Sequence, residues 1–206
     1  AIVFEMLDPE EASRVTPELA GDPDALAAAL DWADSGWPDF AMYYPLLANA
    51  SAVPIFGAEV PRDAAQRAFA EGAAAVFAGD AERFGLTEAL GEDQQAAREA
   101  AQLAAHCDAL PADILPGFVE AQRLRDATLA ASALEALEAY GAPVVIVTGN
   151  GHARRDWGVP SVLETAAPDV EVLSLGQFEE APGAEPPYDL WAVAAPGERP
   201  DPCLAF

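Results

Sequence analysis

Lysine is missing from this chain: all ten of its basic residues are arginine, set against 35 acidic residues, for a formal net charge of −25. Cysteine, histidine and methionine occur twice each. Each scarcity excludes something. A surface this acidic repels nucleic acid and anionic lipid headgroups. Two cysteines cannot build a disulfide framework, and a 206-residue chain that is 52% hydrophobic buries a sizeable core without one. No stretch of 18 apolar residues occurs, so no segment of this sequence spans a membrane as a helix. A Gly-x-Ser-x-Gly elbow, a Ser-His-Asp pattern and a phosphate-cradling loop are all absent. The absence of lysine reflects a composition-wide bias towards Ala, Arg, Gly and Pro, so an arginine merits a functional reading only beside a candidate site.

What is present is concentrated at one strand end. The β-branched run Pro143-Val144-Val145-Ile146-Val147-Thr148 reads as a buried strand and is followed at once by Gly149-Asn150-Gly151-His152-Ala153-Arg154. Open α/β sheets bind ligands at such carboxyl ends. Gly149 and Gly151 allow positive φ and close approach of a ligand, and His152 offers an imidazole to a metal, a proton or a carboxylate. The alternative is a capped turn whose His bonds a neighbouring carbonyl. The loop is not a dinucleotide site, because Arg154 stands where the next glycine of that fingerprint belongs.

Strands are predicted at 1–6, 53–58, 143–148, 170–175 and 190–194. Helices are predicted from Asp22-Pro23 through about 34, over 64–77, over 93–106 and over 116–139, the last stopped by Gly141 and Pro143. The alternation predicts one α/β domain, three layers with a mainly parallel sheet, carrying a helical insertion over 63–139 that is a candidate lid. The Pro/Gly cluster at 182–187 is a loop. Ala1 opens directly into a strand with no initiating Met, from which we expect that the natural amino end precedes it and that its targeting information is not in view.

Other residues carry chemistry. Glu5 lies at the end of the first strand in an apolar neighbourhood, where a carboxylate must be paired, protonated or metal-bound; the alternative is a Glu bonded to backbone amides. Arg123 and Asp126 are helical neighbours on an otherwise apolar helix, able to reach the 149–154 loop, to form a structural ion pair or to lie at the surface. Trp32, Trp37, Phe40, Tyr43 and Tyr44 form an aromatic cluster, either core or the wall of an apolar pocket. His106 and Cys107 are read as a helix-terminal imidazole and a packed thiol, with a disulfide to Cys203 as the other possibility.

The segment Val145-Ile-Val-Thr-Gly-Asn-Gly-His-Ala-Arg-Arg-Asp-Trp-Gly-Val-Pro160 resembles the haem-binding uptake domain of the ChaN type. Phe4-Glu5-Met6-Leu7, Ser35-Gly36-Trp37-Pro38-Asp39-Phe40 through Tyr44-Pro45, His106-Cys107, Gln122-Arg123-Leu124-Arg125-Asp126-Ala127, Tyr188-Asp189 and Arg199-Pro200-Asp201-Pro202-Cys203 agree in the same order. The resemblance implies a haem carrier of bacterial iron uptake, with haem in an aromatic-walled cleft at the strand ends, at the interface of a homodimer. It implies a tyrosine as the iron ligand, Tyr44 before Tyr43, the alternative for Tyr44 being a buried hydroxyl bonded to backbone, with Trp37 in the wall, and Glu5 facing the loop of Gly149, Asn150, Gly151 and His152. His152 would orient the ligand and Arg154 or Arg123 would serve the propionates. A tyrosinate is an established ferric haem ligand. It also implies a periplasmic or lipid-anchored location and an earlier strand bearing Gly-Glu-x-His, which this sequence does not contain. Dianionic haem meets an acidic protein here, so local arginine must prevail within the roughly 8 Å Debye length of physiological salt. Two other readings stand beside it. The wider group includes metal-dependent esterases and proteases, in which Glu5 and His152 would bind a divalent ion or activate water. A domain that keeps the fold and binds nothing is the third.

Overall fold

In the computed structural model, residues 1–183, 185–197 and Cys203 are described. They form two compact units: residues 1–60 with 128–148, and the described part of 61–127 with 149–206. The class is α/β, and every strand pairing among the described residues is parallel.

In the first unit, β1 (Ile2–Phe4) lies between β2 (Ile55–Gly57) and β3 (Val145–Val147), with Val3 opposite both Phe56 and Ile146. The strands are shorter than the apolar runs that encode them. The run at 1–6 leaves the sheet after Phe4, although the Glu5 amide still donates to the Val147 carbonyl at 3.1 Å. Asp8 then opens α1 (Pro9–Arg14) through a capping box: its Oδ1 accepts from the Glu11 amide while Glu11 Oε2 accepts from its own. Gly57 lies so close to the Asp8 carbonyl that a Cβ there would collide with backbone, which fixes glycine at the end of β2. Asp22 caps α2 (Pro23–Ala29) as its sequence predicts. The helix ends earlier than 34, because Asp31 takes φ +47 and the chain continues as a 3₁₀ turn, Trp32–Asp34. A second such turn, Phe40–Met42, leads into α3 (Tyr44–Ala50). Phe4, Leu7, Leu26, Leu30 and Leu47 are almost wholly buried, each worth about 1.5–3 kcal/mol on removal from water.

Between β2 and β3 the chain is helical: α4 (Arg62–Glu71), α5 (Ala73–Val76), α6 (Glu92–Ala105) and α7 (Leu115–Tyr140). The predicted helix 64–77 is two helices because Gly72 sits at φ +91, and Glu120 on α7 accepts the Ala73 amide that this break exposes, at 2.7 Å. Helix α7 is buried on more than the one stripe its spacing suggests: Ala121, Leu124, Ala127, Leu129 and Ala133 are all sheltered. Gly141 at φ +75 ends it.

The second unit closes with α8 (Asn150–Ala153), α9 (Val159–Ala166), β4 (Leu175–Phe178) and β5 (Leu190–Val193), the last two paired with each other. The strand predicted at 170–175 therefore begins at its last residue. Asp189, just before β5, takes the Ser174 amide at 2.8 Å, and Asn150 exchanges hydrogen bonds with the amide and carbonyl of Gln177 on the flank away from β5.

Candidate functional site

The Gly149–Arg154 segment is one helical turn rather than an open glycine loop. Gly149 is its N-cap at φ −70, and no glycine of the segment uses positive φ. Open space surrounds the place a Gly151 Cβ would take. Three anchors hold the turn. Asn150 is tied to Gln177, and its carbonyl accepts from the Tyr188 hydroxyl at 3.0 Å. The Ser174 hydroxyl donates to the Ala153 carbonyl. His152, 6% exposed, places Nδ1 2.7 Å from Oδ1 of Asp126, itself 3% exposed. An ionised carboxylate only accepts, so Nδ1 carries the proton and the imidazole is held in one tautomer and orientation. Gly158 abuts the His152 carbonyl so closely that any Cβ would strike it.

The sequence pairs Arg123 with Asp126; the structure gives them separate tasks. Asp126 serves His152, whereas the Arg123 guanidinium binds Glu120 at 2.8 Å and the carbonyls of Gly85, Leu86 and Glu88 at 3.0, 3.3 and 2.9 Å. Arg123 is thereby a clamp on the loop before α6. Arg154 forks onto Asp156, with Nε and Nη2 at 2.9 and 2.6 Å from the two oxygens, and its guanidinium lies 3.6 Å from the centre of the Trp157 ring.

Two cavities open in this unit. One of about 210 Å³ lies among α6, α7 and the 151–157 segment, with Arg98, Gln122, Asp126, Gly151, Arg154 and Tyr188 in its wall. The other, about 270 Å³, shares Arg98, Asp126 and Trp157 and reaches Leu86 and Ser161. Both fall below the roughly 300–1,000 Å³ of pockets that enclose drug-sized ligands, so neither surrounds a porphyrin. Sequence reasoning did not single out Arg98 or Gln177, and it quoted Trp157 and Tyr188 only among the residues that carry the resemblance, without a role; the part each plays arises from tertiary placement.

In the first unit Glu5 is 9% exposed and Oε2 accepts from the Thr148 hydroxyl at 2.6 Å. The aromatic cluster is real: Trp32 packs against Phe40 and Tyr43 at ring distances of 5.2 and 5.0 Å, and Phe40 against Tyr44 at 5.9 Å. Trp37 is half-buried against the same core. The Tyr44 hydroxyl donates to the Ala20 carbonyl at 3.0 Å. Tyr43 has its phenol pKa raised, first by burial and then by the charge of Glu5. Met42 and Leu46, beside them in sequence, are exposed. The residue types suit a ferric porphyrin: flat apolar rings, two phenols and apolar side chains open to solvent.

His106 caps the end of α6, its ring nitrogen 2.7 Å from the Gln102 carbonyl, as a helix-terminal imidazole should. Cys107 is not a packed thiol; it is disulfide-bonded to Cys203 across 96 residues. The spacing could not reveal this, because pairing depends on how the carboxyl-terminal tail returns to α6. Arg199, Pro200, Asp201 and Pro202, which the resemblance drew on, lie outside the described residues. Among the described residues no group of three or more His, Cys, Asp or Glu could hold a metal ion, and no helix is long and apolar enough to cross a membrane.

Comparison with known proteins is consistent with this picture. A solved structure described as cofacial heme binding to ChaN of Campylobacter jejuni shares the fold, with a TM-score of 0.61 at 16% identity over 92% of this chain and 71% of that one. No curated protein matches. The model of the family described as haem-binding uptake, Tiki superfamily, ChaN matches residues 1–163, which include Glu5, the aromatic cluster, Asp126 and His152. The chain belongs to the ChaN family of haem-binding uptake domains.

Proposed function

We propose that this protein binds haem for bacterial iron uptake, on the aromatic face of residues 32–46, as a homodimer. Family membership across residues 1–163 carries the reading. The face supplies what a porphyrin needs: Trp32 packed edge-on to Phe40 and tilted against Tyr43, a phenol at Tyr44 or Tyr43, and exposed Met42 and Leu46. Tyr44 is the proposed iron ligand; its hydroxyl would exchange the Ala20 carbonyl for the metal. Tyr43 is less suited, since burial and the Glu5 charge oppose formation of its phenolate. In the second unit, His152, fixed by Asp126, is the proposed ligand-orienting residue, and Arg154 would serve an acidic group only by giving up its fork onto Asp156. A flat exposed ligand needs a second surface, which a symmetric partner provides. The cofacial arrangement described for the Campylobacter jejuni protein fits such a dimer. The Cys107–Cys203 disulfide suits an oxidising compartment, in line with a periplasmic or lipid-anchored location.

Hydrolysis is a second reading, favoured by one observation: a buried carboxylate that orients an imidazole is the arrangement of a general base. His152 would then act as the base towards an ester or peptide.

The test is the electronic and electron-paramagnetic spectrum of the haemin complex of the native chain beside Tyr44→Phe, Tyr43→Phe and His152→Ala. Tyr44→Phe should abolish the tyrosinate signature and weaken binding at least tenfold, about 1.4 kcal/mol. Retention of that signature in Tyr44→Phe and its loss in Tyr43→Phe would move the ligand. A native complex with no protein ligand to iron, accompanied by hydrolysis that His152→Ala abolishes, would replace uptake by catalysis.

A further inference from the structure

Arg98, on the inner side of α6, differs from every other described arginine. Arg14, Arg67, Arg83, Arg123, Arg125, Arg154 and Arg155 each have a hydrogen-bonded or ionic partner, and Arg62 is exposed. Arg98 is half-buried, makes no hydrogen bond or ion pair among the described residues, and keeps its Nε wholly out of solvent without an acceptor. Its guanidinium lies over the Trp157 ring at 5.9 Å, and its side chain lines both of the cavities described above. A guanidinium presents five donors in a planar fork and does not lose its charge, so a sheltered one with an unmet donor is a site in want of an anion.

The smaller cavity has the matching balance. Its charged walls are Arg98, Arg154 and Asp126; Asp126 accepts from His152 and Arg154 is forked onto Asp156, which leaves Arg98 the guanidinium of this wall with no hydrogen-bonded partner. Gln102, Gln122 and Tyr188 add polar groups to the wall. Burial, with the charge of Arg123, pushes the Arg98 pKa down, and the charges of Asp126, Asp156 and Glu120 only partly counter it, so an incoming anion restores what burial removes. At about 210 Å³ the space suits a short carboxylate arm.

We propose that Arg98 is a carboxylate-binding residue, and that the cavity among α6, α7 and residues 151–157 receives the carboxylate arm of an organic anion. A haem propionate and a free small acid present the same carboxylate, so the recognition chemistry is one. The subsite does not depend on the haem reading, although a propionate would tie the two together.

The test follows the Arg98 Nε–H resonance by nitrogen-edited NMR, assigned by its disappearance in Arg98→Gln, while the protein is titrated with succinate, with acetate, and with chloride at equal ionic strength. Haemin and haemin dimethyl ester are titrated separately. A saturable shift with the carboxylates and none with chloride is expected, with affinity at least tenfold weaker in Arg98→Lys, which keeps the charge and loses the fork. Haemin binding that weakens on esterification, and no longer does so in Arg98→Gln, assigns the arm to a propionate. A shift with succinate in a protein that ignores haemin keeps the subsite and removes the haem reading. No Arg98 shift with succinate, acetate or haemin beyond that with chloride overturns the proposal. Should Arg98→Gln fold poorly by near-ultraviolet circular dichroism, the Arg98→Lys comparison carries the test.

Discussion

Single residues decide the chemistry of the second unit. The Asp126–His152 contact is buried on both sides, and removal of one partner from such a pair strands the other without solvent. Asp126→Ala is therefore expected to cost about 3–5 kcal/mol in urea unfolding, whereas Asp126→Asn, which still offers an acceptor oxygen, costs clearly less. Equal losses in the two variants would mean that the hydrogen bond is not what holds the imidazole. Asp189 makes a pH-dependent contribution of a different kind. The Ser174 amide, and after it Arg155, hold its pKa below the ordinary value of 3.8. Its stabilisation is complete above that value and is lost as pH falls through the lower folded value. Asp189→Asn should flatten the acid limb of the stability profile below pH about 4 and leave its alkaline side unchanged, by a small amount, since the pair is solvent-screened.

Elements obey sequence signals where those signals are local. The Asp22-Pro23 cap, the helix 93–106, the long helix ended by Gly141 and the strand before Gly149 all rest on patterns within a few residues, and the structure contains them with small changes of boundary. Misjudged features depend on distant partners. Nothing near 170–175 announces that the distant Asp189 carboxylate would take the Ser174 amide and that the strand would begin only at Leu175. Likewise Arg123 and Asp126 stand three apart on α7, and only the fold reveals that one turns to the carbonyls of 85–88 and the other to His152. The candidate site was legible as a His in a glycine-flanked segment, though not as a helical turn; the supporting roles of Tyr188, Gln177 and Gly158 were not legible. Gly158→Ala tests the tightest of these supports. A Cβ must push against the His152 and Arg154 carbonyls, so the variant should lose stability by about 1–3 kcal/mol and displace the His152 ring resonances. An unshifted imidazole would show that α8 is positioned from its other end.

At the scale of the whole molecule, the disulfide and the surface charge govern behaviour. Cys107 and Cys203 close a loop of 96 residues, and cross-links of that span typically contribute about 2–4 kcal/mol through the unfolded chain. Cys107→Ser with Cys203→Ser should lower the thermal midpoint, and a reductant should act on the native chain but not on the double variant. With a net charge of −25, approach of an anionic ligand is opposed at long range, so added salt should quicken haem association while weakening any contact made by arginine. The central claim is haem carriage by a dimer, and a haemin titration followed together by Soret absorbance and by light-scattering mass tests it most directly. The account predicts a saturable Soret shift accompanied by a doubling of mass. A response no larger than that of an unrelated acidic protein, with the mass unchanged, would contradict it.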